Sequence, residues 1–297
     1  MSDNPKIIRT PEDRFLNLPE YDFDSHYLFV EDELRMHYLD EGNKEAPIVL
    51  LLHGEPSWSF LYRKMISPLV KGGFRVLVPD LIGFGKSDKW VDQNRYSYRD
   101  HINWILNFLD SLELKKINLF CQDWGGLIGL RIVAEYPDRF EKIVASNTTL
   151  PTGKGINDAF FQWRAYSQKS EFFDIGKVLD LGTIATLSEE VKRAYNAPFP
   201  SEEYKAGARV FPMLVPTDEK DPEAIKNQKA WQQLAHWEKP FLTIFGTGDE
   251  IMKGAEKLFH KIIPGCNGQP HCYLDAGHFI QEEKGSELAA LLIKFYH

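Results

Sequence analysis

Residues 121–126 read "CQDWGG". They follow an apolar run, Ile117–Phe120, and lead into the helix-like stretch "LIGLRIVAEY" at 127–136. An apolar run, then small residues, then a helical pattern marks a strand that turns sharply into a helix. Such a corner lifts one side chain clear of the sheet and needs small neighbours, because its backbone is strained. Gly125 and Gly126 supply them on one side; on the other, Cys121 stands where glycine is common. In the G-x-S-x-G form of this corner the lifted residue is a nucleophilic serine. Here it is Asp123. Taken alone, Asp123 reads equally well as the cap of the helix that follows.

The chain on either side sets the fold class. Residues 26–40 pattern as two strands joined by a tight acidic turn. "PIVLLLH" at 47–53 and "FRVLVPD" at 74–80 are continuous apolar runs, as expected of strands buried on both faces of a parallel sheet. Ser97, with Asp100 three residues on, predicts the start of a helix whose apolar face is Ile102, Ile105, Leu109 and Leu112. "KIVASN" at 142–147 is the next strand. Residues 151 to about 225 hold helix-like pieces and no convincing buried strand. The strand rhythm returns at 240–250 and 271–279, followed by an amphipathic helix near 283–296. Strands alternating with helices imply an α/β fold with a mostly parallel sheet flanked by helices. We expect residues 1–150 and 226–297 to form the core domain and residues 151–225 an inserted helical cap domain.

Composition removes several function classes. Of 297 residues, 43% are hydrophobic and 26% charged, as in an ordinary globular protein. Lys and Arg number 35 against 43 Asp and Glu, a net charge of −8, which argues against a nucleic-acid partner. The cysteines are Cys121, Cys266 and Cys272; their odd number and spacing argue against a disulfide framework or a zinc site. "MSDNPKIIRTPEDRF" lacks the apolar segment of a secretory leader, and no stretch approaches the ~20 apolar residues that span a bilayer. A soluble, cytoplasmic protein without a membrane partner is expected. "GFGKSD" at 83–88 imitates the end of a phosphate-binding loop, but that motif needs glycine where Asp80 stands.

Two further residues change the reading of Asp123. Asp249 lies past the strand Leu242–Phe245 in "GTGDE", and His278 lies in "DAGHF" after the strand near Cys272–Leu274. Nucleophile, acid, histidine is the chain order of the α/β-hydrolases. Three strand ends converge on one edge of a parallel sheet, where such folds place their sites. "HGEP" at 53–56 follows an earlier strand; the backbone N–H groups of Glu55 and Trp124 are expected to form an oxyanion hole. Trp124 and Trp163 each carry an indole N–H on a large apolar ring, a donor suited to a soft anion in a dry pocket. For Trp163 the residue by itself favours plain packing, and Trp58, Trp90, Trp104, Trp231 and Trp237 are taken as packing residues.

Taken together, "RTPEDRFLNLPEY", "HYLDEG", "HGEPSWSFLYRKM", "PDLIGFGKSDK", "QDWGG", "NAPFP" and "DAGHF" closely resemble the haloalkane dehalogenases over nearly the whole chain. The resemblance is to the subfamily with an aspartate acid after the late strand and a second tryptophan in the cap. It implies an α/β-hydrolase core with a helical cap, no cofactor and no metal. It also implies Asp123 as nucleophile, His278 as base, Asp249 as acid, and Trp124 and Trp163 as halide donors. A sister group carries asparagine at the position of Glu55 and a carboxylate acid after the strand that here ends at Asn147, which cannot ionise. The implied reaction is hydrolysis of a haloalkane to an alcohol, a halide and a proton by a monomer. Epoxide hydrolysis is the nearest rival, and Tyr166, Tyr195 and Tyr204 are its candidate cap acids. Phe160, Phe161, Phe172 and Phe173 are the cap residues expected to set halide and chain-length preference.

Overall fold

Alternation along the apolar runs builds a sheet with two buried faces. In the computed structural model, which describes residues 6–297, eight strands form it: β1 (His26–Glu31), β2 (Leu34–Glu41), β3 (Ile48–Leu52), β4 (Arg75–Pro79), β5 (Ile117–Gln122), β6 (Phe140–Ser146), β7 (Phe241–Gly246) and β8 (Cys272–Leu274). The first five residues of the N-terminal stretch read for a leader lie outside the described residues. The spatial order is β8-β7-β6-β5-β3-β4-β2-β1. Among the described residues of this sheet only the β1–β2 and β2–β4 pairs are antiparallel; Ile7–Ile8 and Lys89–Trp90 form a separate antiparallel pair. All six residues of β5 are buried, as its central place requires.

Leu51, Val78, Phe120, Val144 and Ile244 point to one face, where α1 (Arg63–Lys71) and α10 (Ile280–Tyr296) cover them. Leu50, Leu52, Leu77, Leu119 and Cys121 point to the other, under α2 (Tyr98–Ser111) and α3 (Trp124–Glu135). Cys121 is therefore a packing residue in the second core. Ser97 caps α2 as expected: its hydroxyl accepts from the Asp100 N–H and donates to the Asp100 carboxylate.

Between β6 and β7 the chain forms α4 (Asp158–Lys169), α5 (Ile175–Leu181), α6 (Glu189–Asn196), α7 (Ala206–Leu214) and α8 (Pro222–Leu234), with no strand among the described residues. The helix α8 packs on α3. After β7 comes α9 (Glu256–Ile262). The last helix, α10, starts at Ile280 rather than near 283. Its first turn is set off by a non-helical backbone at Lys284, and the polar Gln281 and Glu282 of that turn are buried, which hides the helix start from a hydrophobic pattern. No helix is long and apolar enough to cross a membrane among the described residues.

One buried ion pair fastens these parts together. Glu282 of α10 accepts two bonds from Arg63 of α1, at 2.6 and 2.7 Å, one from Lys64 at 2.9 Å, and one from the Tyr195 hydroxyl of α6 at 2.6 Å. Breaking such a pair strands a charge away from water. Arg63→Ala is expected to cost about 3–5 kcal/mol of stability, read as a lower urea midpoint. A loss under about 1 kcal/mol would show that Glu282 finds other partners.

Candidate active site

The corner after β5 has the strain expected of it. Asp123 sits at φ 50° and ψ −127°, a left-handed conformation that side chains other than glycine rarely adopt. Its own carbonyl accepts from the N–H groups of Gly126 and Leu127 and from the Thr148 hydroxyl, which secures the turn. A Cβ on Gly125 would overlap the Leu52 carbonyl, and one on Gly54 would overlap the Asp123 carboxylate. Both glycines are thus dictated by close approach. The "HGEP" turn is pinned by buried His53, whose Nδ1 bonds the Gly54 carbonyl while Nε2 accepts from the Leu81 N–H. Asp80, which ruled out a phosphate loop, also holds the neighbouring turns in place. It accepts from His37 and from the N–H groups of Ser59 and Lys86.

The two oxygens of Asp123 face different partners. Oδ1 accepts the Glu55 N–H at 2.7 Å. Oδ2 lies 3.4 Å from His278 Nε2. The Trp124 N–H opens α3 and so lacks an acceptor within the helix. Nδ1 of His278 lies 2.7 Å from Asp249 Oδ2, and Asp249 Oδ1 accepts from Ile251 and Met252. Burial alone raises the Asp249 pKa, but His278 and the two N–H groups bring it below the ordinary carboxylate value. The sequence-predicted Asp123, Asp249, His278 and Glu55 are therefore brought together.

Opposing influences act on His278. Burial lowers its pKa; Asp249 and Asp123 outweigh burial and raise it above the ordinary 6.5. Against them, Gln122 Nε2 lies 2.9 Å from His278 Nε2 and 3.2 Å from the His278 carbonyl. The carbonyl demands a donor, which orients the amide. Only a neutral ring can accept its second N–H. Asn147 Nδ2 donates to the carbonyls of Gly277 and His278, while its Oδ1 accepts from the Gly246 N–H. Sequence reasoning passed over Gln122 and treated Asn147 only as a carboxylate that was missing. The available signal was a polar amide closing an apolar strand, where burial is unavoidable.

Above Asp123 lies a cavity of about 790 Å³. Trp124 and Trp163 both line it, and neither indole N–H has a partner among the described residues. The ring of Trp124 is held edge-on by Tyr98 and Phe211, at 5.0 and 4.7 Å between centroids. Trp163 packs on buried Phe173 at 5.9 Å. Of Phe160, Phe161, Phe172 and Phe173, Phe160 alone lines the cavity; Phe161 and Phe172 face solvent. Of Tyr166, Tyr195 and Tyr204 only Tyr166 lines it, and the Tyr195 hydroxyl is spent on Glu282. Glu55 is buried at the cavity floor with Oε1 unpartnered. Burial, and then the Asp123 charge, push its pKa well above the ordinary 4.5. No cluster of three or more metal-binding side chains occurs among the described residues.

The profile of the alpha/beta hydrolase fold family matches residues 47–285. A haloalkane dehalogenase of Psychrobacter cryohalolentis is 52% identical, over 98% of this chain and 98% of its own length. One of Mycolicibacterium paratuberculosis is 49% identical over 97% of this chain and 98% of its own. Among solved structures, the tetrameric haloalkane dehalogenase DpaA of Paraglaciecola agarilytica NO2 superposes with a TM-score of 0.91 at 36% identity, covering 96% of this chain and 97% of its own. With the corner, the strand order and near full-length similarity in agreement, the chain belongs to the haloalkane dehalogenases of the α/β-hydrolase fold.

Proposed function

We propose that the protein hydrolyses the carbon–halogen bond of haloalkanes through an alkyl ester on Asp123, giving an alcohol, a halide and a proton. The observation that carries this reading is the division of labour between the two Asp123 oxygens, beneath an apolar cavity lined by two free indole N–H groups. A carbon–halogen bond offers no carbonyl, so the first step is in-line displacement at saturated carbon. An ionised carboxylate does this without a base. Oδ2, the oxygen not held by Glu55, is the proposed nucleophile. Trp124 and Trp163 donate to the departing halide as its charge develops.

The ester changes the surroundings of His278. Its formation removes the Asp123 charge, one of the two that raise the affinity of the ring for a proton. His278 is thereby released as a base when it is needed. It takes a proton from water, which attacks Asp123 Cγ, while Asp249 orients the ring and offsets its charge. Oδ1 becomes the oxyanion, and the Glu55 N–H is already on it at 2.7 Å; Trp124 N–H is the second proposed donor. The Glu55 carboxyl is proposed to hold the attacking water or to be itself protonated.

Bromide released from 1-bromobutane, with no diol formed from styrene oxide, is the deciding assay; the reverse outcome makes the protein an epoxide hydrolase. Trp163→Phe removes one charge-assisted hydrogen bond, about 1.5–3 kcal/mol. Halide is expected to bind about 10–100-fold more weakly, read by quenching of the fluorescence of the remaining tryptophans. Unchanged affinity would leave Trp163 a packing residue.

Residues 1–150 and 226–297 are proposed as the core domain and 151–225 as the cap. A cytoplasmic location is proposed on the three free cysteines. A monomer is proposed for this chain, and light scattering tests it against the tetramer of its DpaA relative.

A further inference from the structure

The cap is bonded directly to the segment that carries His278. Where α5 ends, Leu181 and Gly182 line the cavity, and the chain then crosses to α6. The His278 N–H donates to the Gly182 carbonyl at 2.7 Å. Beside it, Glu283 in the first turn of α10 accepts three backbone bonds. Oε1 takes the N–H groups of Ile184 and Ala185 at 3.0 and 2.9 Å, and Oε2 takes that of Gly277 at 2.7 Å. The two backbones touch, since a Cβ on Gly277 would overlap the Gly182 carbonyl. A carboxylate is favoured in a first helical turn and matches three converging donors. The core holds the opposite side of the same residue, where Gln122 and Asn147 donate to the His278 carbonyl.

We propose that Glu283 is a positioning residue that clasps the cap segment 182–185 to the loop bearing His278, so that a substrate seated against Leu181 and Gly182 settles the base. The proposal rests on the assignment of His278 to ester hydrolysis. It predicts an effect confined to that step. Asp123 and Trp124 stand on the β5–α3 corner and Trp163 on α4, and none of these displacement-step groups makes a side-chain bond to the clasp among the described residues.

Glu283→Gln is nearly isosteric, but its amide keeps one acceptor oxygen and turns an N–H toward an N–H on the other arm. In rapid-quench experiments with 1-bromobutane, the first bromide is expected at the wild-type rate. Ester hydrolysis is expected to slow about 10–100-fold, with alkylated protein accumulating in the mass spectrum. Glu283→Asp, a shorter acceptor, is expected to fall between the two. A decline of both steps in equal ratio, or an unchanged second step, overturns the clasp. Should neither variant fold, hydrogen exchange on the unaltered enzyme decides. Amides of 184–185 and 277–278 exchanging through one shared opening support the clasp, and rates differing more than about tenfold overturn it. Absence of any bromide burst from the wild-type enzyme would instead overturn the dehalogenase reading.

Discussion

His278→Phe is expected to release about one halide per active site and then stop. Displacement needs no base, because a carboxylate, unlike a hydroxyl, attacks carbon without first giving up a proton. Phenylalanine fills the space of the ring but takes no proton, so water is not activated and the ester persists. Positioned general bases contribute roughly 10²–10⁴-fold, and steady-state turnover should fall by at least that factor. The result is read as a stoichiometric bromide burst together with a stable mass increase on the peptide containing Asp123. Removing His278 also removes a neighbour that lies 3.4 Å from Asp123, so the burst rate itself will move modestly. Sustained turnover by the variant would sink the proposed scheme, because water would then reach Asp123 Cγ without a base.

Asp123→Asn should fail one step earlier. The amide oxygen can still accept the Glu55 N–H, so the oxyanion pocket keeps its shape. What disappears is the charged lone pair that attacks carbon. Nucleophile removal in enzymes with covalent intermediates costs on the order of 10⁴–10⁶-fold. Neither a halide burst nor an ester is expected, while halide quenching of fluorescence persists because both indoles remain. The pair of variants is diagnostic together: one stops after the first product, the other before it. A burst from Asp123→Asn, after controls for deamidation, would assign the nucleophile to another group.

Much of this was legible in the residues for physical reasons. Buried parallel strands write themselves as unbroken apolar runs, which located β3, β4 and β7. Ser97 announced α2 because a cap is a local bond. The convergence of Asp123, Asp249 and His278 followed from strand ends sharing one edge of the sheet. The supporting bonds were not legible. Gln122 and His278 are 156 residues apart, and Asn147 and His278 are 131 apart. Their pairing depends on how β5, β6 and the loop after β8 meet, which no local pattern encodes. The cap phenylalanines show the same limit. Composition marks them as large and apolar, yet only the direction of each ring separates Phe160 in the cavity from Phe172 in solvent.

The buried carboxylate of Glu282 has a consequence for segment exchange as well as for stability. It belongs to α10, is neutralised by Arg63 of α1, and takes its last bond from Tyr195 of α6, in the stretch between β6 and β7. Exchanging the helices between β6 and β7 for a foreign segment would therefore disturb this bond. Any grafted or recombined segment must bring a hydroxyl to the place of Tyr195 or leave Glu282 Oε2 with Arg63 as its one partner among the described residues. The stretch between β6 and β7 is thereby bonded to the ion pair beneath it.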